Sequence, residues 1–181
     1  MRRPVEMFAV ISLLFCGAIF GFFYAWVCST MWGLDAADPR VAIAAMQAMN
    51  ASVRNAVFAP AFFGTPLVLA LTALIAWPVH RAAALWFAAS GIVYLLFGAV
   101  LTMAINVPMN EALARLAVPE SVAAAEDIWT GYSKEWQFWN VTRTIASGLA
   151  LALAGIGTLS IVRRRKLELP ATGNRDAATA A

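Results

Sequence analysis

The sequence predicts an all-α protein, a membrane-spanning four-helix bundle with two additional helical segments on the outer side. Hydrophobic residues make up 62% of the 181 residues and charged residues 13%, whereas an average soluble domain has roughly half and a quarter. The charges are also unevenly placed, because four stretches contain none: 7–34, 55–79, 82–110 and 144–162. An apolar helix needs roughly 20 residues to cross a bilayer, so each stretch predicts one span.

The four spans are expected at about 7–27, 58–77, 84–107 and 141–162. Spans two and three are joined by a short turn, which makes them antiparallel neighbours in an up-down bundle. The sequence therefore predicts one domain over 1–168. The tail, 169–181, has few large apolar residues and is predicted to be disordered on the cytoplasmic side.

The basic residues predict the orientation of the bundle, because Lys and Arg collect on the cytoplasmic side of a membrane. With both termini inside, eight of the thirteen basic residues lie inside and five outside. We therefore expect both termini to be cytoplasmic, in the plasma (inner) membrane of a bacterium. The net charge of +3 then reflects membrane topology, and the expected partner is the lipid bilayer rather than nucleic acid.

The first outer segment, about 38–57, is predicted to be a helix that begins at an Asp–Pro pair. At 100° per residue, Gln47, Asn50 and Arg54 share one stripe with the large apolar residues of the segment. A solvated surface helix would place its polar groups opposite its apolar face. We therefore expect these three side chains to face the bundle or a cavity, and three others to face outward: Ala45, Ala48 and Ser52.

The second outer segment, about 120–140, is also predicted to be helical and to continue from near Lys134 into span four as one helix. Within it and the start of span four, one 100° stripe collects large and polar residues: Trp129, Tyr132, Trp136, Trp139, Asn140 and Arg143. Trp and Tyr also gather at the interfaces of membrane proteins in general, so an aromatic belt is an alternative interpretation of these aromatic residues.

Span three ends in Asn106 and Asn110, which are four residues apart and therefore on one face of a helix. Because spans three and four and the first outer helix all reach the outer side, their polar side chains can converge there: Gln47, Asn50, Arg54, Asn106, Asn110, Asn140 and Arg143. Polar groups with aromatic walls predict a small-molecule pocket, walled by Tyr132, Trp136 and Trp139. The alternatives are that the asparagines bridge helices and that Arg143 extends to the lipid headgroups.

The same cluster contains neither His nor Cys, and the single histidine, His80, lies on the inner turn. Zinc, copper, non-haem iron and haem sites draw on those residue types. The sequence therefore predicts no metal site and no cofactor, so any reaction in the pocket would use neither.

Asn106-Val107-Pro108-Met109-Asn110 followed by Trp136-x-x-Trp139-Asn140-x-x-Arg143 resembles the anthrone oxygenase-like family of small integral membrane proteins. The stretch 46–50 resembles that family's first outer helix, and the resemblance covers about 8–160. It implies the four-span fold and an oxygenase that converts anthrone-like polycyclic aromatic substrates to anthraquinones, with molecular oxygen as co-substrate and no cofactor.

In that interpretation, an anthrone loses a proton and the resulting enolate reacts with O₂. Arg143, Asn106 and Asn140 are then the catalytic candidates, as preorganised donors to the enolate oxygen. The substrate-binding candidates are Gln47, Asn50, Arg54, Asn110, Tyr132, Trp136 and Trp139. The general base stays open, with Glu111 and Glu135 the nearest carboxylates in the sequence.

Two other functions fit the same residues. One is a non-catalytic binding or carrier module for a lipophilic molecule such as a quinone. The other is a structural accessory membrane subunit, in which the polar stripes only dock helices against one another. The oligomeric state is not predicted.

Overall fold

The computed structural model describes residues 2–168, and within them every regular element is helical. Three segments are π-helical: Trp26–Thr30, Leu95–Val100 and Thr102–Asn106. The α-helices are α1 (Arg2–Ala25), α2 (Met31–Asp35), α3 (Pro39–Ser52), α4 (Phe58–Ala76), α5 (Arg81–Tyr94), α6 (Val107–Ala114) and α7 (Val122–Glu168). The predicted all-α class is confirmed, whereas the predicted disordered tail lies outside the described residues.

Four helical stretches of the described chain are long and apolar enough to cross a membrane: Arg3–Asp35, Phe58–Ala76, Arg81–Ala114 and Val122–Arg163. The predicted membrane-spanning bundle is therefore confirmed. Its orientation and its location in a bacterial inner membrane stay predictions.

Helix α7 is one continuous helix of 47 residues, about 70 Å long at 1.5 Å per residue. The outer segment therefore continues into span four as one helix, as expected, but this helix begins at Val122 rather than near Lys134. Gly131 is the only glycine in the first half of α7, before the apolar part of the helix. One interior glycine costs a helix only about 1 kcal/mol, which is too little to end it.

Helix α3 begins as predicted, with Asp38 at the N-cap accepting a backbone N–H of the first turn at 2.9 Å. It ends at Ser52 rather than near residue 57. The reason is Asn55, whose Oδ1 accepts the backbone N–H groups of Val57 and Phe58 at 2.8 and 2.9 Å. This side chain starts α4, so the residues between the two helices form a turn.

One end of the bundle, around the turn between α4 and α5, is tightly packed, and we call it the closed end. Small side chains dominate its buried core, together with Leu69 and Phe87. Small residues let membrane helices approach closely where no hydrophobic force drives them together. Buried hydroxyl groups are hydrogen-bonded here, since the oxygens of Ser12 and Thr72 lie 2.8 Å apart.

Proline in a membrane helix leaves a carbonyl without its usual donor, and the bundle supplies a substitute. Pro66 inside α4 cannot donate to the carbonyl of Phe62, and the Tyr94 hydroxyl donates to that oxygen instead at 2.9 Å. At Pro108, the helix is π-helical directly before the proline, over Thr102–Asn106. The wider π turn lies where Pro108 prevents regular α pairing.

Candidate functional site

The other end of the bundle, which we call the cavity end, encloses a cavity of about 590 Å³. It lies between the end of span one, the end of α3 with the turn after it, the start of α4, the stretch from Thr102 through α6, and α7. Seven aromatic residues line it: Phe22, Phe23, Trp26, Phe58, Phe62, Phe63 and Trp136. The polar and charged lining consists of Asn50, Arg54, Asn55, Thr102, Asn110, Glu111 and Arg143. This size and this lining are typical of a small-molecule site.

Arg143 lies in the wall of the cavity with only 5% of its surface exposed. Its Nε donates to Asn140 Oδ1 at 3.0 Å and its Nη1 donates to Thr102 Oγ1 at 3.3 Å. The guanidinium carbon also lies 4.5 Å from the ring centre of Phe23 and 5.0 Å from that of Trp136. Neutral acceptors and two ring faces thus offset the cost of burying the cation.

The side chain therefore points into the bundle and not toward the lipid headgroups, and its partners are Asn140 and Thr102. Neither Asn106, Asn110, Gln47 nor a carboxylate bonds it within the described chain. Thr102, which the sequence reasoning missed, takes that place because it lies on the same helix face as Asn106, one turn earlier.

Asn140 is fully buried and does not line the cavity, so it holds Arg143 from behind. Its Nδ2 donates to the carbonyl of Phe23 at 3.3 Å, which leaves Oδ1 facing the arginine. Thr102 is oriented in the same manner, because its hydroxyl donates to the carbonyl of Gly98 at 2.6 Å. Its oxygen is thereby left as an acceptor for Arg143.

Asn110 is the centre of a second hydrogen-bond network in the cavity wall. Its Oδ1 accepts from the Tyr132 hydroxyl at 2.8 Å and from Trp136 Nε1 at 2.9 Å. The Tyr132 oxygen in turn lies 3.4 Å from the Asn50 Nδ2 that donates to it. Three of these four residues line the cavity, whereas Tyr132 is buried behind it. The structure thus brings together four residues that the sequence had placed in one pocket.

An ion pair lies at the solvent-exposed part of the lining. Arg54 Nη2 donates to Glu111 Oε1 at 3.2 Å, and both side chains are about half exposed. Arg54 lines the cavity as expected, but it does so from the turn after α3, because that helix has ended two residues earlier. Among the described residues, Glu111 is the only carboxylate that lines the cavity, and Glu135 is exposed on α7 away from it.

Two predicted site residues have other contacts. Gln47 is half-buried, and its Nε2 donates to the carbonyls of Leu113 and Leu116 at 2.8 and 3.0 Å, so it closes the end of α6. Trp139 does not line the cavity and packs edge-on against Phe138. The outward side of α3 is partly as expected: Ala48 and Ser52 are exposed, but Ala45 is half-buried.

Asn106 is fully buried beside the cavity without lining it. In the described residues, its Nδ2 and Oδ1 are the only fully buried side-chain polar atoms without a hydrogen-bond partner. An unsatisfied buried amide costs about 1–3 kcal/mol. It lies one turn from both Thr102 and Asn110, in the π-helical segment before Pro108, and π-helical insertions are frequent at functional sites.

The aromatic walls from α1 and α4 were not predicted as site residues. Phe22, Phe23 and Trp26 lie at the end of span one, and Phe58 and Phe62 at the start of span two. In the sequence they are ordinary apolar residues of a span. Only the density of aromatic residues at these two span ends could have indicated them.

No group of three or more His, Cys, Asp or Glu side chains comes together in the described residues. The absence of a cofactor stays a prediction.

Four long apolar helices with a buried arginine at one end define an all-helical integral membrane protein. The anthrone oxygenase family model matches residues 52–153, more than half of the chain. The chain therefore belongs to the anthrone oxygenase family, and the resemblance of its asparagine and tryptophan motifs is confirmed. No curated protein and no solved structure matches the chain. The matched range contains Asn106, Asn110, Trp136, Asn140 and Arg143, but the cavity walls from α1 and α3 lie before it.

Proposed function

We propose that this protein is a cofactor-free oxygenase that binds a flat polycyclic aromatic substrate of the anthrone type beside Arg143 and oxidises it with O₂. The observation that carries the proposal is the buried guanidinium of Arg143, which faces an aromatic cavity and has no carboxylate partner in the described chain. Membership of the anthrone oxygenase family supports the substrate class.

Arg143 retains a donor for a ligand. Its Nε and Nη1 are used within the protein, whereas Nη2 forms no hydrogen bond to the described residues. Nη2 is also not fully buried, because the fully buried side-chain polar atoms that lack a hydrogen-bond partner in the described residues all belong to Asn106. It is therefore open to the cavity. A cation held in an apolar wall, with its geometry fixed in advance, stabilises an oxyanion far better than it would in water.

The reaction needs only groups that this site and O₂ supply. An anthrone carries a CH₂ group opposite the carbonyl of its central ring, and loss of a proton from that carbon gives an enolate with its charge on oxygen. The enolate carbon reacts with O₂; one oxygen atom becomes the new carbonyl, the other leaves as water, and the CH₂ is oxidised by four electrons. Arg143 would bind the enolate oxygen, and the aromatic walls would hold the rings.

Glu111 is the proton acceptor that we assign in this mechanism. It is the carboxylate in the described lining of the cavity, and its pairing with Arg54 fixes its position at the exposed part of that lining. A general base must come within hydrogen-bond reach of the proton it removes, and a lining carboxylate can meet that condition. Glu135, exposed on α7 outside the cavity, cannot.

The test is turnover of an anthrone by the purified protein, followed as O₂ uptake and as anthraquinone absorbance. We expect one O₂ consumed per anthraquinone formed. Glu111→Gln should lower kcat by about a hundredfold or more, whereas the matched variant Glu135→Gln should not change it. Absence of turnover in the wild-type protein, or full activity of Glu111→Gln, would contradict the proposal or the assigned base, respectively.

The alternative function is that of a non-catalytic carrier for a quinone. The donors that face the cavity, Arg143 and Asn110, favour it, because a quinone accepts hydrogen bonds and donates none. A carrier would bind the quinone without consuming O₂ in the presence of anthrone. The turnover measurement therefore separates the two functions.

A further inference from the structure

We infer that the cavity opens sideways into the bilayer, between α4 and the helical stretch 102–114, and that its ligand enters from the lipid through this opening. The inference rests on the proposed function only in that the cavity binds a small molecule, and it does not depend on the reaction. It identifies the ligand class by its origin, because a molecule that arrives by this route is apolar and dissolved in the membrane.

The four spans form a ring in which each packs against two neighbours, since α1 and α5 each pack against α4 and α7. Three of the four contact lines in this ring are filled at the cavity end. Phe22 of span one lies 4.6 Å from Phe58 of α4 between ring centres. Trp26 of span one lies 5.1 Å from Trp136 of α7, and Trp136 donates to Asn110 of span three at 2.9 Å.

The fourth contact line, between α4 and residues 102–114, is open, and we call it the seam. The Tyr94 hydroxyl bonds the carbonyl of Phe62 in α4, and α4 still packs against Leu95–Val100. Farther along, the backbone of α4 does not pack closely against residues 102–114 of the described chain. Helices bend at π-helical turns and at proline, and this stretch contains both, in Thr102–Asn106 and Pro108. Span three thus separates from α4 at the level of the cavity.

The seam lies at the depth of the bilayer hydrocarbon. Helix α4 has 19 residues, about 28 Å, which is close to the thickness of the apolar core of a membrane. Phe63 lies five residues into this helix, roughly 7 Å from its start. Phe63 and Met103, on the two sides of the seam, both line the cavity although they are 54% and 49% exposed. Exposed lining residues mark where a cavity reaches the protein surface, and this surface faces lipid.

The seam is apolar, whereas the water-facing rim of the cavity is charged. Ala59 and Val107 are the other lining residues at the seam, and the ion pair of Arg54 and Glu111 lies at the rim. A ring system that entered over the rim would displace water from charged groups, which costs free energy. One that entered through the seam would exchange lipid for apolar side chains. The Met103 side chain is flexible enough to move aside as it passes.

The experiment measures how fast a membrane-dissolved thiol reagent labels a cysteine inside the cavity of the protein in liposomes. The reagent is N-(1-pyrenyl)maleimide, whose four fused rings make it flat and apolar. Phe62→Cys is the labelled position, because Phe62 lines the cavity and is only 2% exposed. The native cysteines are removed as Cys16→Ala and Cys28→Ser. Phe22→Cys, on span one, is a second labelled position should Phe62→Cys not fold.

Ala59→Trp and Ala56→Trp are the matched variants, because both alanines line the cavity but Ala59 lies at the seam and Ala56 at the rim. Ala59→Trp should slow labelling by about tenfold or more, since the reagent must force its way past an overfilled seam. Ala56→Trp should leave the rate within about twofold of the parent. Met103→Trp fills the seam from its other side and should act like Ala59→Trp. Thermal unfolding in detergent verifies that each variant folds.

Unchanged labelling in both seam variants, or slower labelling in Ala56→Trp alone, would overturn the inference and make the rim the entrance. Labelling requires neither anthrone nor O₂, so its result is separate from that of the turnover test. Labelling that depends on the seam, in a protein that does not oxidise anthrone, would contradict the proposed function alone.

Discussion

The closed end and the cavity end of the bundle are built from the same helices and differ in how those helices meet. At the closed end, Ala76, Ala84 and Ala154 are buried, and the helices lie close together. At the cavity end, large rings such as Phe22 and Phe58 stand between the helices and keep about 590 Å³ open. The comparison indicates that small residues hold the bundle together at one end, while bulky rings keep a cavity open at the other.

Polar groups show the same contrast. The buried hydroxyls of the closed end are bonded, as in the pair Ser12 and Thr72 and in Ser90, which donates to the carbonyl of Ala150 at 2.7 Å. Within residues 2–168, the cavity end contains a buried cation without a carboxylate partner and, in Asn106, a buried amide without a hydrogen-bond partner. Such unsatisfied groups lower stability and are expected where function requires them.

The largest difference between the two ends should appear in the free energy of unfolding when a phenylalanine is replaced by alanine. Phe87→Ala at the closed end removes a fully buried ring and should lower the free energy of unfolding by about 3 kcal/mol or more. Phe22→Ala, in the wall of an existing cavity, should cost about 1 kcal/mol because less packing is lost. Unfolding titrations in mixed detergent micelles measure both. Equal losses would mean that the cavity end is packed as tightly as the closed end.

The next effect concerns the two arginines that lie over aromatic rings. Arg143→Lys should lower kcat by about a hundredfold, about 3 kcal/mol, because Lys offers a point charge rather than a planar fork. The loss should be larger in kcat than in substrate affinity if the oxyanion forms during turnover. Arg81→Lys, beside Trp77 at the closed end, is the matched control and should keep full activity. Full activity of Arg143→Ala would remove Arg143 from the site.

A smaller effect on the free energy of unfolding is expected when buried polar groups are removed, and its sign should differ between the two ends of the bundle. Thr72→Val leaves the Ser12 hydroxyl without its partner and should lower the free energy of unfolding by about 1 kcal/mol. Asn106→Val removes an amide that has no partner and should leave that free energy unchanged or raise it by about 1 kcal/mol. Thermal unfolding of both variants in one detergent tests this. A clear loss in Asn106→Val would show that the amide contributes to the folded state.

The smallest effect concerns the start of α3, outside the membrane spans. The Arg40 side chain and backbone N–H lower the pKa of Asp38 to about 2. A lowered pKa contributes stability above the ordinary Asp value, near 4, and this contribution is lost as the pH falls towards 2. Hydrogen exchange of the first α3 amides should therefore accelerate over this range, and in Asp38→Asn the acceleration should be weaker. No change with pH at these amides would contradict the assignment of the cap.

The sequence was sufficient for the spans because a bilayer imposes one simple requirement, an apolar helix of sufficient length. Boundaries were less certain where local chemistry decides. The Asn55 side chain accepts two backbone N–H groups at the start of α4 and so favours a turn before it, and Gly131 is too weak an interruption to divide α7. Both residues were visible in the sequence, but their effect depends on which of two competing local structures is more stable.

Helical periodicity was a good guide where the helix in question formed. It placed Asn50, Asn110 and Trp136 on faces that line one cavity. Arg54 lines the same cavity, although it lies beyond the end of its helix, and periodicity could not indicate that Gln47 closes the end of α6. A helical wheel shows which side chains share one face of a helix, but it does not show which other helices that face contacts.

Composition, charge spacing and two short motifs thus determined the all-helical membrane bundle and the family of this protein, because hydrophobic length and motif residues are properties of the chain itself. Tertiary structure decided the site. Phe23 and Trp136, which lie more than a hundred residues apart in the sequence, both face the guanidinium of Arg143, and Asn140 and Thr102 hold it. Those contacts depend on how far apart four helices lie and how each is rotated, and packing sets both.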